Sequence, residues 1–398
     1  MTTEFEKVVP RRGTNCVKWD KVPEGVLPMW VADMDFETAP CVQEAVRRRA
    51  DHGVFGYTAV PESYYKSVCD WFARRHGWRP QPEWIIYCPG LVPAMSACIS
   101  AFTNPGDKVI IMSPVYNCFF SSIRNYGCEA LDVPLLTVEE SGTPHYEIDF
   151  ESLEKAARDP RAKMMLFCSP HNPAGRVWSR SELERVGRIC IDNGIVPVSD
   201  EIHCEFAAPG VKFTPFASIS PEFERACVTL NSPSKAFNIA GLQISNIVCA
   251  DPDIRAKVNK AVNVNEICDV NPFGVVALQA AYTPEGLEWL LGLNARITAN
   301  YRRLQERVAA ELPWCKLYRL DGTYLAWLDI KALCFAPDGS LRISSVDVEK
   351  SLIEVEKVKV SNGVMYGQEG FLRINLACPP ALLEDGISRL SRGLSRLK

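Results

Sequence analysis

Apolar positions along this chain fall into two alternating rhythms. Short apolar runs at residues 84–88, 109–112, 128–133, 163–168, 195–199, 226–230 and 244–250 are bounded by Gly, Pro, Ser or Asn and read as buried strands. Between several of them, apolar residues recur at helical spacing. Residues 40–52 and 61–76 open on Pro and close on Gly53 or Gly77, while residues 181–193 carry Glu182 in the first turn and Gly194 at the end. Helices are also predicted from Leu91 to about Phe102 and near residues 117–126. Strand, helix and strand alternating through short loops predict a parallel sheet covered by helices. In such a sheet, ligands sit beyond the carboxyl ends of the strands. Past Ala250 the pattern turns helical over 272–282 and 287–312, the second long enough to link two domains. Strands at 324–329 and 372–376, with helices near 345–354 and 381–397, predict a smaller α+β domain. The first 39 residues read as irregular. They end in Pro28-Met-Trp-Val-Ala-Asp-Met-Asp-Phe36, where acids interleaved with Trp30, Met34 and Phe36 fit a strand with a polar face.

Composition narrows the function classes. With 398 residues, 47% of them hydrophobic, the chain is long enough to bury a large core. A net charge of −4 gives no argument for nucleic acid or an acidic membrane surface. The first residues lack the apolar core of a signal peptide, and no apolar stretch approaches the roughly 20 residues that span a bilayer. The expectation is a soluble, cytoplasmic protein. Its 16 cysteines form no CxxC and sit at no zinc-site spacing, so buried, reduced thiols are expected and a metal is not.

The candidate chemistry centres on the stretch NSPSKAFNIAGLQ, residues 231–243. Lys235 follows a strand-like run and is wedged between Ser232, Ser234 and apolar residues. Such a setting desolvates an ammonium and lowers its pKa from roughly 10.4 toward the neutral amine that forms Schiff bases. The flanking hydroxyls suit a phosphate. A reactive lysine beside phosphate ligands suggests pyridoxal phosphate, provided an acid is available for the ring nitrogen. Asp200, at the end of the 195–199 strand, is a candidate, since a buried acid is costly unless paired; a structural salt bridge serves it equally well. Gly90, with Leu91 and Val92, makes a strand-to-helix turn with free N–H groups, a ready anion site. Asn172 is fixed in the loop Ser169-Pro-His-Asn-Pro-Ala-Gly-Arg176. Arg373, in a strand with Leu372 and Ile374, needs an anion, either a ligand carboxylate or an internal acid. Tyr57 lies in the loop Gly56-Tyr-Thr58, exposed or packed beneath it.

Taken in order, the glycine turn, Tyr116, Asn172-Pro, Asp200, Ser-x-Ser-Lys and the late arginine resemble fold-type I pyridoxal-phosphate (PLP) enzymes, the aspartate aminotransferase superfamily. The resemblance runs from about Trp30 to Pro380. Val31-Ala-Asp-Met-Asp-Phe36, Pro89-Gly-Leu-Val-Pro93, Ser199-Asp-Glu-Ile-His203 and Lys235-Ala-Phe-Asn-Ile-Ala-Gly-Leu-Gln243 look like the MalY/PatB branch, cystathionine β-lyases and related cysteine-S-conjugate lyases. It implies an α/β fold: a large PLP-binding domain (46–285) with a mostly parallel sheet of the seven-stranded type, and a small domain (286–398) joined by a 1–45 segment. It also implies residue roles. Lys235 would hold PLP and shuttle the Cα proton, Asp200 would protonate the ring nitrogen and Tyr116 would stack on the ring. Asn172 and His203 would reach the ring oxygen. Gly90, Leu91, Val92, Ser232 and Ser234 would bind the phosphate, with Tyr57 from the neighbouring subunit of a homodimer. Arg373 would clamp the substrate carboxylate, near Asn172 and Tyr57. The implied reaction is α,β-elimination of L-cystathionine or another cysteine conjugate; an aminotransferase would need the same residues. Gln243 stands where many aminotransferases place a phosphate-binding arginine, and the branch shares it. Asn117 stands where several of these lyases carry an aromatic, which leaves the leaving thiol open.

Overall fold

The computed structural model describes residues 3–264, 266–267 and 269–398. Its larger sheet has seven strands, β1 (Ile85–Cys88), β2 (Lys108–Ile111), β3 (Glu129–Asp132), β4 (Ala162–Cys168), β5 (Val196–Asp200), β6 (Val228–Asn231) and β7 (Ser245–Val248). They lie side by side in the order β1-β7-β6-β5-β4-β2-β3. From β6 to β3 every neighbouring pair is parallel. Only β7 runs the other way, antiparallel to both β1 and β6.

The central strands read as unbroken apolar runs because helices cover both faces. Val109, Ile111, Met164 and Leu166 point into one apolar layer, with Met95 and Cys98 of helix Leu91–Phe102. Ile110, Met112, Met165 and Phe167 point into the other, with Val186 and Cys190 of helix Arg180–Asp192. That helix starts at a capping box in which the Ser179 hydroxyl accepts from the Glu182 N–H and the Glu182 carboxylate accepts from the Ser179 N–H. Helices Pro40–Asp51 and Glu62–His76 begin and end where the prolines and glycines set them.

Helix Pro284–Glu311 leads to a second sheet of four antiparallel strands, β8 (Lys316–Leu317), β9 (Leu325–Asp329), β10 (Ser361–Asn362) and β11 (Phe371–Asn375), in the order β8-β9-β11-β10. Helix Pro380–Leu397 packs on it through Leu383, Ile387, Leu390 and Leu394. The early strand Leu27–Pro28 pairs with Val358–Lys359 beside this sheet.

The strand expected over residues 28–36 does not form beyond Pro28. Its carbonyls are taken by side chains from distant parts of the chain, which leaves no ladder to join. A hairpin, Leu136–Glu140 with Thr143–Glu147, and helix Phe150–Ala157 are further elements that the apolar pattern did not announce. Every cysteine among the described residues is a free thiol, and all but Cys16, Cys41 and Cys118 are buried.

Candidate active site

The carboxyl ends of the parallel strands converge on one cavity of about 410 Å³. After β1, Gly90, Leu91 and Val92 start helix Leu91–Phe102; after β2 comes Tyr116; after β4, Asn172; at the end of β5, Asp200 and then His203; and after β6, Ser234 and Lys235. Arg373 enters the same cavity from β11 of the smaller sheet. The wall is completed by Trp30, Val31 and Ala32 from the N-terminal segment.

Lys235 donates from Nζ to the Ala32 carbonyl at 2.7 Å. Burial pushes its pKa down to about 8, opposed by the negative charge of Asp33 and reinforced by Arg373. The Asp200 carboxylate lies at the strand end, accepts from the Ile202 N–H at 3.1 Å and forms no ion pair among the described residues. Burial pushes its carboxyl up to about 7, against the pull of that N–H and of Lys235. The salt-bridge alternative for Asp200 is therefore not what the structure contains. His203 is buried behind the same wall. Burial, then Lys235 and Arg373, push it down to about 3, so the imidazole is neutral at physiological pH, and its Nδ1 has no partner.

Arg373 is buried and pairs with no carboxylate among the described residues. It donates to Asn172 Oδ1 at 3.0 Å and to the Trp30 carbonyl at 2.8 Å, and its guanidinium lies 4.6 Å from the centre of the Tyr366 ring. A buried cation held only by neutral groups is poised for an external anion. Gly90 precedes a helix with no side-chain cap, whose first intrahelical bond is Ala94 N–H to the Gly90 carbonyl. Position three is Pro93, so the N–H groups left for a ligand are those of Gly90, Leu91 and Val92. Tyr116, whose phenol burial pushes up, presents its ring to the cavity.

Two expected residues are not on the wall. Ser232 is buried beneath it, and its hydroxyl is used within the turn, donating to the Ile244 carbonyl at 2.5 Å and accepting from the Ser234 N–H at 3.0 Å. Tyr57 stands fully exposed, outside the cavity of its own chain. The remaining donors fit pyridoxal phosphate: an unpaired buried acid for the ring nitrogen, helix N–H groups for the phosphate and a near-neutral amine for the aldehyde carbon.

Over residues 24–390 the sequence matches the family described as aminotransferase class I and II. The chain belongs to that family. Within this aminotransferase family it is 42% identical to cystathionine beta-lyase PatB of Bacillus subtilis, over 98% of this chain and 100% of that protein. Among solved structures it superposes on cystalysin from Treponema denticola, which contains a pyridoxal 5'-phosphate cofactor, with a TM-score of 0.93, 36% identity and complete coverage of both chains. The PLP-bound C–S lyase from Staphylococcus hominis gives a TM-score of 0.89 at 32% identity over 98% of each chain. The mixed sheet of seven strands covered by helices matches the fold-type I architecture of PLP enzymes.

Several residues of the cavity escaped the sequence reading. Ser361, Met365 and Tyr366 complete the end near Arg373, and behind the wall Tyr324 donates to the Ala32 carbonyl at 2.9 Å, the carbonyl that Lys235 also uses. Nothing local marks them. Away from this site, His76, Cys204 and Glu205 bring ligand atoms within 4.8 Å of one another, which their spacing did not suggest. Glu205 there is already bonded to Trp71, Arg75 and His76.

Proposed function

We propose that this chain is a PLP-dependent C–S β-lyase that cleaves an L-cysteine S-conjugate, L-cystathionine among the candidates, to a thiol, pyruvate and ammonia. The observation that carries the reading is the joint placement of a desolvated lysine, an unpaired buried acid and a carboxylate-free arginine on one cavity wall, in a chain similar to PatB along its whole length. When bound, the cofactor supplies an electron sink for the carbanion at the substrate α-carbon. Lys235, with its pKa near 8, is the base that takes the Cα proton and then the acid that supplies a proton to the departing thiolate. Asp200 holds a proton at the ring nitrogen, and the charge it meets there offsets its own desolvation. The Gly90–Val92 N–H groups and Ser234 would hold the phosphate, Tyr116 would serve the ring, and neutral His203 with Asn172 would serve the ring oxygen. Arg373 orients the substrate α-carboxylate with two parallel hydrogen bonds. Ser232 supports this set from behind.

The active form in this reading is a cytoplasmic homodimer. Fully exposed Tyr57, next to exposed Val54 and Phe55, then serves the cavity of the second copy. The division into a large domain (46–285), a small domain (286–398) and an N-terminal segment joined to the latter is part of the same reading, supported by the pairing of Leu27–Pro28 with Val358–Lys359. The decisive experiment incubates the PLP-loaded protein with L-cystathionine and no 2-oxo acid. Pyruvate and equimolar ammonia over many turnovers are expected. Conversion of the cofactor to its amine form without pyruvate would instead identify an aminotransferase.

A further inference from the structure

Residues 30–36 form an irregular strap whose first three residues wall the cavity, and almost every carbonyl in it is held by a side chain. Trp30 accepts from Arg373 and, at 3.2 Å, from Ser361; Val31 and Asp33 each accept from Asn375 at 2.6 Å. Ala32 accepts from Lys235 and Tyr324. Met34 and Phe36 accept from Asn238, three residues beyond Lys235, which also accepts from the Met34 N–H at 3.0 Å. The two residues assigned to the Cα proton and the substrate carboxylate thus take their positions partly from the same seven residues.

The outer side of the strap is fastened by charge. The Arg11 guanidinium spans both acids, 3.0 Å from Asp33 and 3.1 Å from Asp35, and also donates to the Met34 carbonyl at 2.6 Å. Buried Lys18 lies 2.7 Å from Asp35, and the Trp19 indole N–H donates to the same carboxylate at 2.7 Å. Lys18 also lies 3.8 Å from the Asp33 carboxylate and donates to the Asp33 carbonyl at 3.1 Å, but Arg11 grips Asp33 with both terminal nitrogens, at 3.2 and 3.0 Å, while reaching Asp35 and the Met34 carbonyl, a forked geometry that a lysine cannot reproduce. Neither Arg11 nor Asp35 touches the cavity.

We propose that Arg11 is a positioning residue for the reaction, holding the 30–36 strap so that its carbonyls fix Arg373 and Lys235 in the cavity. Without the fork, Lys18 alone is left to offset Asp33 and Asp35, the Met34 carbonyl loses its charged donor, and the strap backbone loosens. Arg373 then loses its Trp30 anchor and the α-carboxylate is bound less well, while the chemical groups stay intact. The effect belongs to substrate binding more than to the chemical step.

The test compares wild type with Arg11→Met and Arg11→Lys in the PLP-loaded protein, by amide hydrogen exchange and by steady-state kinetics with L-cystathionine. In Arg11→Met the amides of Met34 and Asp35, bonded to Asn238 and Ala377, are expected to exchange about tenfold faster while β4 and β6 keep their protection. KM is expected to rise about tenfold with kcat changed less than about threefold. Wild-type protection at Met34 and Asp35, or an unchanged KM, overturns the proposal. Should Arg11→Met not fold, Arg11→Lys is expected to give the same pattern at smaller amplitude, and wild-type behaviour there overturns it equally. The kinetic arm rests on the lyase reading and the exchange arm does not. If no cysteine conjugate is cleaved, that reading fails while the strap is still judged by exchange.

Discussion

Lys235 and Asp200 are displaced from ordinary proton affinities by the same burial, with opposite consequences for stability. Asp200 moves from 3.8 in the unfolded chain to about 7 folded, so between those values the folded state binds more protons. Its contribution is therefore fully present at low pH and is lost as pH rises through about 7, at up to ~1.4 kcal/mol per pH unit. Lys235 moves from 10.5 to about 8, so its share of stability is gained as pH rises across that window. His203, lowered to about 3, acts in the acid range and cancels when two variants share it. In the cofactor-free protein, Asp200→Asn is thus expected to gain stability over wild type steadily from pH 4 to 7 in urea unfolding. A gap that stays constant with pH would mean that the carboxylate is solvated. In the loaded protein, Lys235→Ala is expected to lose at least about 10³-fold in turnover and the covalent cofactor signal in the absorbance spectrum. Retained activity would end the lyase assignment.

At the scale of elements, the turn from β6 to Lys235 shows what a sequence string conveys and what it hides. Ser232 and Ser234 both looked like phosphate ligands, because the spacing of hydroxyls around a lysine is all that the string contains. In the structure only Ser234 reaches the cavity, while Ser232 ties the turn to the Ile244 carbonyl. Ser232→Ala is expected to lower stability by about 1–2 kcal/mol through that orphaned buried carbonyl and also to weaken PLP retention. Ser234→Ala is expected to weaken PLP retention with stability changed by less than about 0.5 kcal/mol. Thermal unfolding and equilibrium dialysis separate the two. The central strands were legible because both faces are buried and the apolar runs are continuous. Hairpin Leu136–Glu140 with Thr143–Glu147 was not, since its first strand is largely exposed and carries little apolar signal. Residues 30–36 misled for the converse reason: their alternation imitates a strand, but side chains of Asn238, Arg373 and Asn375 claim the carbonyls that a neighbouring strand would need.

For the whole molecule, the exposed Tyr57 loop makes a prediction that no single chain can satisfy. Mixing Tyr57→Ala with Lys235→Ala chains under conditions of subunit exchange is expected to give more activity than the two alone, because the mixed dimer contains one site with both native residues. Activity equal to the sum of the separate variants would place Tyr57 outside the site. No helix among the described residues is long and apolar enough to cross a membrane. The sequence by itself determined the alternating strands and helices and the turn glycines, and it singled out Lys235, Asp200, Asn172 and Arg373, which the fold brings to one cavity, since period, caps and desolvated charges are local properties of a string. Only the tertiary structure decided that Asp200 and Arg373 have no oppositely charged partner among the described residues, that Ser232 turns inward, and that residues 30–36 form a strap under Arg11. Those facts depend on which side chains the fold brings together, from 12 positions apart for Ser232 and Ile244 to 343 for Trp30 and Arg373, and local spacing does not encode that.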